Sequence, residues 1–472
     1  MTRPLLLPPV LALTLLAACS VGPDHERPDP AALRDAPDAF TEADGPAREA
    51  ADQTAWWHTL NDPPLAAAVE RALAQNFSLV EARERVVAAR ARRGIVNADR
   101  LPALDAQGSY ARIESGDDAQ PLIGVPPGIE TDVYSLGAVA GWEIDLWGRV
   151  GRLVDAADAE IGFAAADLDA ARLSVAAEVA RRFVELRALD AEIAIVRAGI
   201  DTDRAAYDIA RDRAAAGLTS ELDALRALRI LEADRALLPA LIAARRATAY
   251  ALTTLTAQPA ADAPALLQPT RAVALPEPQP LPALGAPASL LTRRPDLRRA
   301  EQDLAAATFR IGAAQAERFP RLTLTGSINL QGPDIGDATN PDAFVLNAGP
   351  GLTLPLFRGG AIAAGVRVAE ARQRQALARY EQAVLDAVAE VETATVRRSQ
   401  AAERVDRLSD ALRAAEATET LARDRYTAGA SDFLAVTEAQ TQRLAIERAR
   451  LTAARDRLLA RINLHAALGG GF

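Results

Sequence analysis

The sequence predicts an α+β membrane protein in which four long β-strands are combined with long helical hairpins in an internal two-fold repeat. Three observations predict this fold. An apolar leader ends at the only cysteine, four segments alternate apolar with polar residues, and two helical stretches of about 66 residues lack proline. The chain has 472 residues, enough for two or three ordinary domains or for one long architecture.

Residues 1–18 have the composition of a secretory signal peptide. One basic residue, Arg3, precedes an apolar run from Leu5 to Ala18 that contains no acidic residue and is too short to span a bilayer. The cysteine that follows, Cys19, is similar in its placement to the bacterial lipobox, which implies a covalent diacylglycerol on the thiol and an N-acyl chain on the freed amine. Ser20 stands where aspartate would favour inner-membrane retention in such lipoproteins, so we expect an outer-membrane anchor.

Composition argues against enzymatic and nucleic-acid functions. All 53 basic residues are arginine, so a Walker-loop lysine or a Schiff-base lysine is impossible. With its one thiol assigned to lipid, the chain has no disulfide or thiolate metal site, and His25, His58 and His465 are scattered residues that we expect at the surface. The net charge of −10 disfavours nucleic acid. We therefore predict no enzyme, no metal and no cofactor beyond the lipid.

The chain repeats itself after about 210 residues. A helix that ends at Pro102 has a counterpart ending at Pro320, and the turn at Gly217 has a counterpart at Gly429. The predicted segments are a signal peptide (1–18), an extended lipid-anchored arm (19–52), a first repeat (53–257), a linker with eight prolines (258–287) and a second repeat (288–472).

Each repeat carries two predicted strands, at about 103–114, 133–147, 321–332 and 343–357. In the third, Leu322 and Leu324 alternate with Thr323 and Thr325, and every strand is long enough to cross a membrane. Unpaired strand edges are forbidden in a bilayer and membrane barrels begin at about eight strands. Three copies of four strands would give a trimeric, twelve-stranded transmembrane barrel. A soluble sandwich is disfavoured, because four strands are too few and Pro350 would damage a central ladder.

Each strand pair is followed by a helical hairpin, at about 150–257 and 360–468. The first helix, from Gly151 to Ala216, would be about 100 Å long at 1.5 Å per residue. A second helix from Glu221 to Thr256 contains only Pro239 to disturb it. Apolar residues at coiled-coil spacing form the expected seams, which are Val175, Val179, Leu186, Leu189, Ile193, Val196 and Ile200 in the first hairpin and Val384, Val388, Val391, Val405, Leu408, Leu412 and Ala415 in the second. Such hairpins below a membrane barrel predict a conducting tube through the periplasm.

Several motifs resemble those of the lipoprotein branch of the TolC-like outer-membrane factors, the NodT-type, OprM-like efflux lipoproteins. They are Cys19-Ser20-Val21-Gly22-Pro23-Asp24, Trp56-Trp57, Asp62-Pro63-Pro64-Leu65, Trp142-Glu143-Ile144-Asp145-Leu146-Trp147-Gly148-Arg149, Leu291-Thr292-Arg293-Arg294-Pro295-Asp296-Leu297 and Leu354-Pro355-Leu356-Phe357-Arg358-Gly359-Gly360. The likeness covers the whole chain after the signal peptide.

The resemblance implies a homotrimer with one twelve-stranded barrel continued by a periplasmic α-helical coiled-coil barrel. Such a channel is a passive duct for drugs, toxic compounds or metal ions, closed at its periplasmic tip. It docks onto a periplasmic adaptor protein and an inner-membrane pump, commonly a proton-driven one. The implied adaptor-docking positions are the helix tips, which are Gly217, Leu218, Thr219, Gly429, Ala430 and Ser431.

The resemblance also implies acidic residues that constrict the closed tip. Counted from Gly429, the position usually held by aspartate is Glu438, and a second acidic position of some members is Ala435. Asp223 occupies a comparable place after the first turn. Asp432 lies nearer the tip, where it would serve equally well as a helix cap.

Two other functions are weighed against a channel. A lipid-anchored coiled-coil spacer of the cell envelope would explain Cys19 and the helices, but it leaves the four alternating strands without a role. A periplasmic hydrolase would need a nucleophile and base in a recognisable motif, and the sequence offers none.

Overall fold

A computed structural model of the chain describes residues 20–29, 40–42, 54–116, 128, 130–263, 266, 268, 275–280 and 284–472. The predicted signal peptide, Cys19 and most of the predicted arm lie outside these residues. The helices are α1 (Pro63–Gln75), α2 (Phe77–Ala98), α3 (Arg149–Ala215), α4 (Glu221–Arg235), α5 (Leu237–Leu255), α6 (Leu290–Arg293), α7 (Pro295–Ala316), α8 (Ala361–Thr427) and α9 (Phe433–Ala467). The strands are β1 (Ala103–Glu114), β2 (Glu130–Ile144), β3 (Arg321–Gly332) and β4 (Phe344–Thr353).

The chain divides into two compact units that are described separately. The first unit comprises Met1–Pro28, Arg85–Ala164 and Ala300–Tyr380, and it contains the sheet. The second comprises Asp29–Glu84, Ala165–Arg299 and Glu381–Phe472, and it contains the hairpin turns.

The four strands of the first unit form one antiparallel sheet in the order β1-β2-β3-β4. The central pairing of β2 with β3 joins the two halves of the sequence and aligns Trp142 with Leu324 and Ala138 with Ile328. β1 and β4 are the edges, and each is paired on one side only within the described chain.

The register separates an apolar face of the sheet from a polar one. One row across all four strands consists of Ala106, Ala138, Ile328 and Leu346, and the next row on the same face consists of Gly108, Leu136, Leu330 and Phe344. The opposite face carries polar pairs such as Ser109 and Ser135, whose hydroxyl oxygens lie 2.7 Å apart. Apolar side chains on the first face are solvent-exposed, with Leu346 at 65 % and Leu324 at 42 %. The alternation predicted from the sequence therefore describes a real apolar face that this chain leaves uncovered.

Two strands end earlier than the sequence analysis predicts. β2 runs over Glu130–Ile144 rather than 133–147. It stops because Asp145 turns to cap α3, its Oδ2 accepting a 2.7 Å hydrogen bond from the amide of Gly151. β4 ends at Thr353 rather than at residue 357, shortly before Pro355, which has no amide hydrogen to continue a ladder.

The long helices follow the predicted ranges, with one break. α3 and α8 each span 67 residues. The return helix of the first hairpin, expected as one helix, is divided at Ala236 into α4 and α5. The cause is Pro239, which cannot donate a hydrogen bond to the carbonyl of Arg235. Among the described residues, none of the helices is both long and apolar enough to cross a membrane.

The predicted seam residues are mostly buried. In α3, Val179, Leu186, Ile193, Val196 and Ile200 are at most 7 % exposed, while Val175 and Leu189 are partly buried. In α8, Val384, Val391, Val405 and Ala415 are buried, and Val388, Leu408 and Leu412 are partly buried.

The main core of the second unit surrounds the two adjacent tryptophans of the first repeat. Trp56 is 2 % exposed and stacks on the ring of His465 with 5.2 Å between centroids. The expectation that His465 lies at the surface is wrong, because the ring is 1 % exposed. Burial, and next the charge of Arg461, lowers the pKa of His465 to about 3, so this histidine is neutral and structural.

Candidate functional site

The candidate site lies at the two helix-hairpin turns of the second unit. At the first turn, α3 ends in a Schellman motif. The amide of Gly217 donates to the carbonyl of Ala214 at 3.0 Å, and the amide of Leu218 donates to the carbonyl of Arg213 at 2.9 Å. Gly217 has a φ of +70°, which favours glycine. Ser220 then caps α4 by accepting a hydrogen bond from the amide of Leu222 at 3.2 Å.

The second turn has the same hydrogen bonds. The amide of Gly429, whose φ is +73°, donates to the carbonyl of Tyr426 at 3.0 Å, and the amide of Ala430 donates to the carbonyl of Arg425 at 2.8 Å. Asp432 caps α9 by accepting from the amide of Ala435 at 3.1 Å. The two turns, far apart in sequence, are thus built on one plan: a glycine ends the long helix and a side-chain oxygen starts the return helix.

An apolar cluster joins the two turns. It consists of Ala210, Ala224, Ala227, Tyr426, Phe433 and Val436. The rings of Tyr426 and Phe433 lie 5.4 Å apart, and the guanidinium of Arg213 lies 4.8 Å from the centre of the Tyr426 ring. Because residues from both hairpins contribute, the predicted tip positions of the two repeats belong to one packed structure.

The tips expose apolar side chains, and each turn contains a buried hydroxyl without a hydrogen-bond partner in the described chain. Leu218 is 70 % exposed, and Leu222 and Leu225 of α4 are 51 % and 56 % exposed. Thr219 Oγ1 and Ser431 Oγ are buried atoms without a hydrogen-bond partner in the described chain, at matching positions of the two turns. Exposed leucines grouped at these turns are typical of a surface that another protein covers.

The three acidic candidates have different surroundings. Asp432 is occupied as the helix cap. Asp223 is half-buried and forms an ion pair of 3.7 Å with Arg226, one turn further along α4. Glu438 is exposed on α9 and forms no ion pair or side-chain hydrogen bond within the described part of the chain. Of the three, Glu438 alone presents a free carboxylate, and Ala435 beside it adds no charge.

A carboxyl pair deeper between the helices was not anticipated from the sequence. Asp203 of α3 is 6 % exposed, and it lines the same cavity as Asp234 of α4. Asp203 Oδ2 is buried and receives no hydrogen bond from any donor in the described chain. Burial, followed by the adjacent carboxyl group of Asp234, raises the pKa of Asp203 to about 7. Asp203 therefore retains its proton up to near neutral pH.

The carboxyl pair lines a small polar cavity. This cavity of about 150 Å³ is also lined by Thr202, Arg229, Gln440, Thr441 and Arg443. Arg443 is bound to Glu419 of α8 and donates to Glu447 at 2.6 Å, so its charge is already shared by two carboxylates. Because Arg443 is committed to these partners, it compensates the charge of Asp203 only in part, which agrees with the direction of the pKa shift.

Comparison with known proteins places the chain among bacterial efflux proteins. A family model described as "Outer membrane efflux protein" matches residues 68–258 and 286–470. The chain is 32 % identical to "Nodulation protein T" of Rhizobium leguminosarum bv. viciae, over 97 % of this chain and 92 % of that protein. It is 31 % identical to "Outer membrane protein OprJ" of Pseudomonas aeruginosa, over 98 % and 95 %. Among solved structures, the outer-membrane channel OprN superposes with a TM-score of 0.86 at 31 % identity, covering 96 % of this chain and 99 % of that one.

Proposed function

Because the chain belongs to the outer membrane efflux protein family, and is thus an efflux channel component of the outer membrane, we propose that three copies form one passive exit duct for small molecules. The duct would receive its cargo from an inner-membrane pump through a periplasmic adaptor. The chain itself would perform no reaction, and the pump would supply the energy.

The observation that carries this proposal is the sheet with an exposed apolar face and two open edges. Rows such as Ala106, Ala138, Ile328 and Leu346 give the apolar face, and polar residues occupy the other. The apolar face would contact the hydrocarbon of the lipid, and the polar face would contact the water in the lumen of the barrel. Open edges at β1 and β4 are not tolerated in lipid, which supports pairing of β4 in one copy with β1 in the next.

Barrel size requires more than one copy of the chain. Four strands per chain are too few for a closed membrane barrel, whereas three chains supply twelve, within the range of known barrels. A coiled-coil spacer without a channel is the weaker proposal, because OprN matches 96 % of the chain, strands included.

The tips are proposed as the adaptor-docking surface. Gly217 and Gly429 fix two similar turns, exposed Leu218 offers apolar area to a partner, and Thr219 and Ser431 occupy matching positions of the two turns. Glu438 is proposed as the ring of three carboxylates at the closed aperture, with Asp223 and Asp432 as the remaining acidic candidates. Glu438 is ranked ahead of Asp223 and Asp432 because its carboxylate is exposed and unpaired within the described part of the chain.

Two measurements on the detergent-extracted protein test the duct. Light scattering should give a protein mass near three times that of one chain. Insertion into a planar bilayer should give discrete single-channel conductance steps. A stable monomer, or a trimer that never conducts, would contradict the proposal, and the second result would favour the spacer.

A further inference from the structure

The chain directly after Cys19 is bound to the first unit instead of forming a free tether. Residues 20–28 belong to this unit together with the start of α3 and most of α7. The amide of Val21 donates a 3.0 Å hydrogen bond to the carbonyl of Trp147, in the turn between β2 and α3. The predicted extended arm over 19–52 therefore packs against the first unit at its first described residues.

A buried arginine holds this segment. The side chain of Arg152, on the first turn of α3, is 5 % exposed. It donates to Asp24 Oδ1 at 2.6 Å, to the carbonyls of Val21 and Gly22 at 3.2 Å each, and to Ser20 Oγ at 3.4 Å. Burying a guanidinium without hydrogen-bond acceptors costs free energy. The acceptors of the arm therefore stabilise buried Arg152, and Arg152 in turn holds the arm in place. The ring of Phe309 lies 5.9 Å from the guanidinium. Because the ring has no oxygen or nitrogen acceptor, it does not compete with the arm for the N–H donors of Arg152.

A contact between two glycines brings the arm close enough for these bonds. Gly22 has a φ of +101°, and a Cβ there would meet the Cα of Gly312 in α7 at 2.2 Å. A Cβ on Gly312 would in turn meet the carbonyl oxygen of Val21 at 2.7 Å. Real Cβ atoms do not approach backbone this closely, so a side chain at either position would push the arm away from α7.

Two further contacts hold the segment of residues 20–28 nearer its end. The ring of His25 meets Phe309 edge-on with 6.5 Å between centroids. Arg27 donates two hydrogen bonds of 2.7 Å to the carboxylate of Glu301, whose side chain is 9 % exposed. A paired guanidinium and carboxylate in this fork geometry is a directional contact. The segment is thus held along its length by polar and steric contacts.

We propose that Arg152 and the contact between Gly22 and Gly312 form a seat that positions the lipid-bearing amino terminus at the turn between β2 and α3. Arg152 acts as a positioning residue. The acyl chains on Cys19 would then enter the bilayer beside the strands, at a fixed place around the barrel, instead of from a long flexible tether. This inference rests on the proposed membrane channel and on the proposed lipid at Cys19.

Release of the arm by a glutamate-specific protease tests the seat. Cleavage after exposed Glu26 separates the labelled residues 19–26 from the channel, and a docked backbone must first detach to be cut. Protein labelled with radioactive palmitate in cells and purified in detergent is digested, and the release of labelled peptide is timed. We expect Arg152→Ala and Gly312→Ala to accelerate release about tenfold or more, and Asp24→Asn, which alters only the arm, to accelerate it less.

Two control substitutions match these changes in the same unit. Arg93→Ala removes an arginine of α2 that pairs with Asp158 at 3.0 Å and does not touch the arm. Gly94→Ala adds a Cβ where nothing lies within 4 Å. Both should release peptide at the unaltered rate, and the conductance of every variant establishes that the channel is folded.

The possible results distinguish a failure of the proposed seat from a failure of the proposed channel or of the proposed lipid at Cys19. Equal release rates in folded Arg152→Ala, Gly312→Ala and unaltered protein would overturn the seat. If the unaltered protein takes up no palmitate, the lipid at Cys19 is wrong. Mass spectrometry of the unlabelled peptide then still decides whether Arg152 holds the arm.

Discussion

The carboxyl groups of Asp203 on α3 and Asp234 on α4 interact across one small cavity between the two helices of the first hairpin. Two adjacent carboxyl groups can form a hydrogen bond only while at least one of them is protonated, because two carboxylates offer acceptors alone. Arg443 faces the pair from α9 and stabilises the charged form, whereas Glu419 of α8 opposes it. When the proton leaves, two like charges are confined together, and the contact between α3 and α4 weakens.

The pH dependence of this contact has a defined sign. The pKa of Asp203 is raised to about 7, whereas an unfolded aspartate has a pKa of 3.8. The stabilising contribution is therefore complete below about pH 4 and is lost as the pH rises to about 7. Hydrogen exchange of α4 amides, corrected for intrinsic rates, should show protection that falls between about pH 4 and pH 7. Asp203→Asn should remove this trend, whereas Asp201→Asn, an exposed neighbour on α3, should retain it.

The two faces of the sheet should differ in their tolerance of charge. Leu324 lies on the apolar face, and its neighbour Thr325 on the polar face. Leu324→Arg should cost about 2–4 kcal/mol if the residue lies near the middle of the bilayer, and Thr325→Arg should cost far less because it faces water. The measurement is the yield of folded trimer in lipid vesicles. Equal losses for the two variants would show that the faces are assigned wrongly.

The proposed aperture predicts a gain of conductance. Three Glu438 carboxylates around one axis would repel each other and attract cations. Glu438→Ala should raise the single-channel conductance and weaken block by divalent or trivalent cations added from the periplasmic side. Glu416, an exposed carboxylate on α8, provides the control, and Glu416→Ala should change neither quantity. If both quantities are unchanged in Glu438→Ala, the acidic constriction belongs to Asp223 or Asp432.

The lipid attachment predicts a loss of labelling. Cys19 is the only cysteine in the chain, so Cys19→Ser should abolish incorporation of radioactive palmitate. The barrel should still insert, since its apolar strands hold it in the membrane independently. Label that persists in Cys19→Ser would contradict the lipobox assignment.

The turn glycines predict a local loss of stability. Gly429 has a left-handed backbone with open space around it, so Gly429→Ala introduces strain without a clash and should cost about 1 kcal/mol at the tip. Gly365, inside α8, also has open space but no left-handed backbone, and Gly365→Ala should stabilise its helix. Hydrogen exchange of residues 425–435 measures the difference. Faster exchange in Gly365→Ala than in Gly429→Ala would contradict the Schellman turn as the source of tip stability.

Local patterns predicted the elements but not the long-range polar contacts. Alternation identified the apolar face around Leu324, and the glycine at each turn identified the hairpin tips. The buried charged residues were not predicted. A carboxylate such as Asp203, on a helix rich in arginine and acidic residues, has the same local sequence pattern as a residue on a solvated helix face. Arg152 likewise looked like one of many surface arginines. Its burial depends on a glycine contact between segments separated by most of the chain.

The two edge strands run in opposite directions, since each of the three pairings in the sheet is antiparallel. Rotation about a barrel axis leaves the direction of every strand along that axis unchanged. When identical chains are arranged around such an axis, β4 of one meets β1 of the next in antiparallel orientation, and every seam repeats the pattern found inside the chain. An odd number of strands per chain would turn each seam parallel, so the even number of strands in the sheet is itself a condition for a ring of identical subunits that is antiparallel throughout.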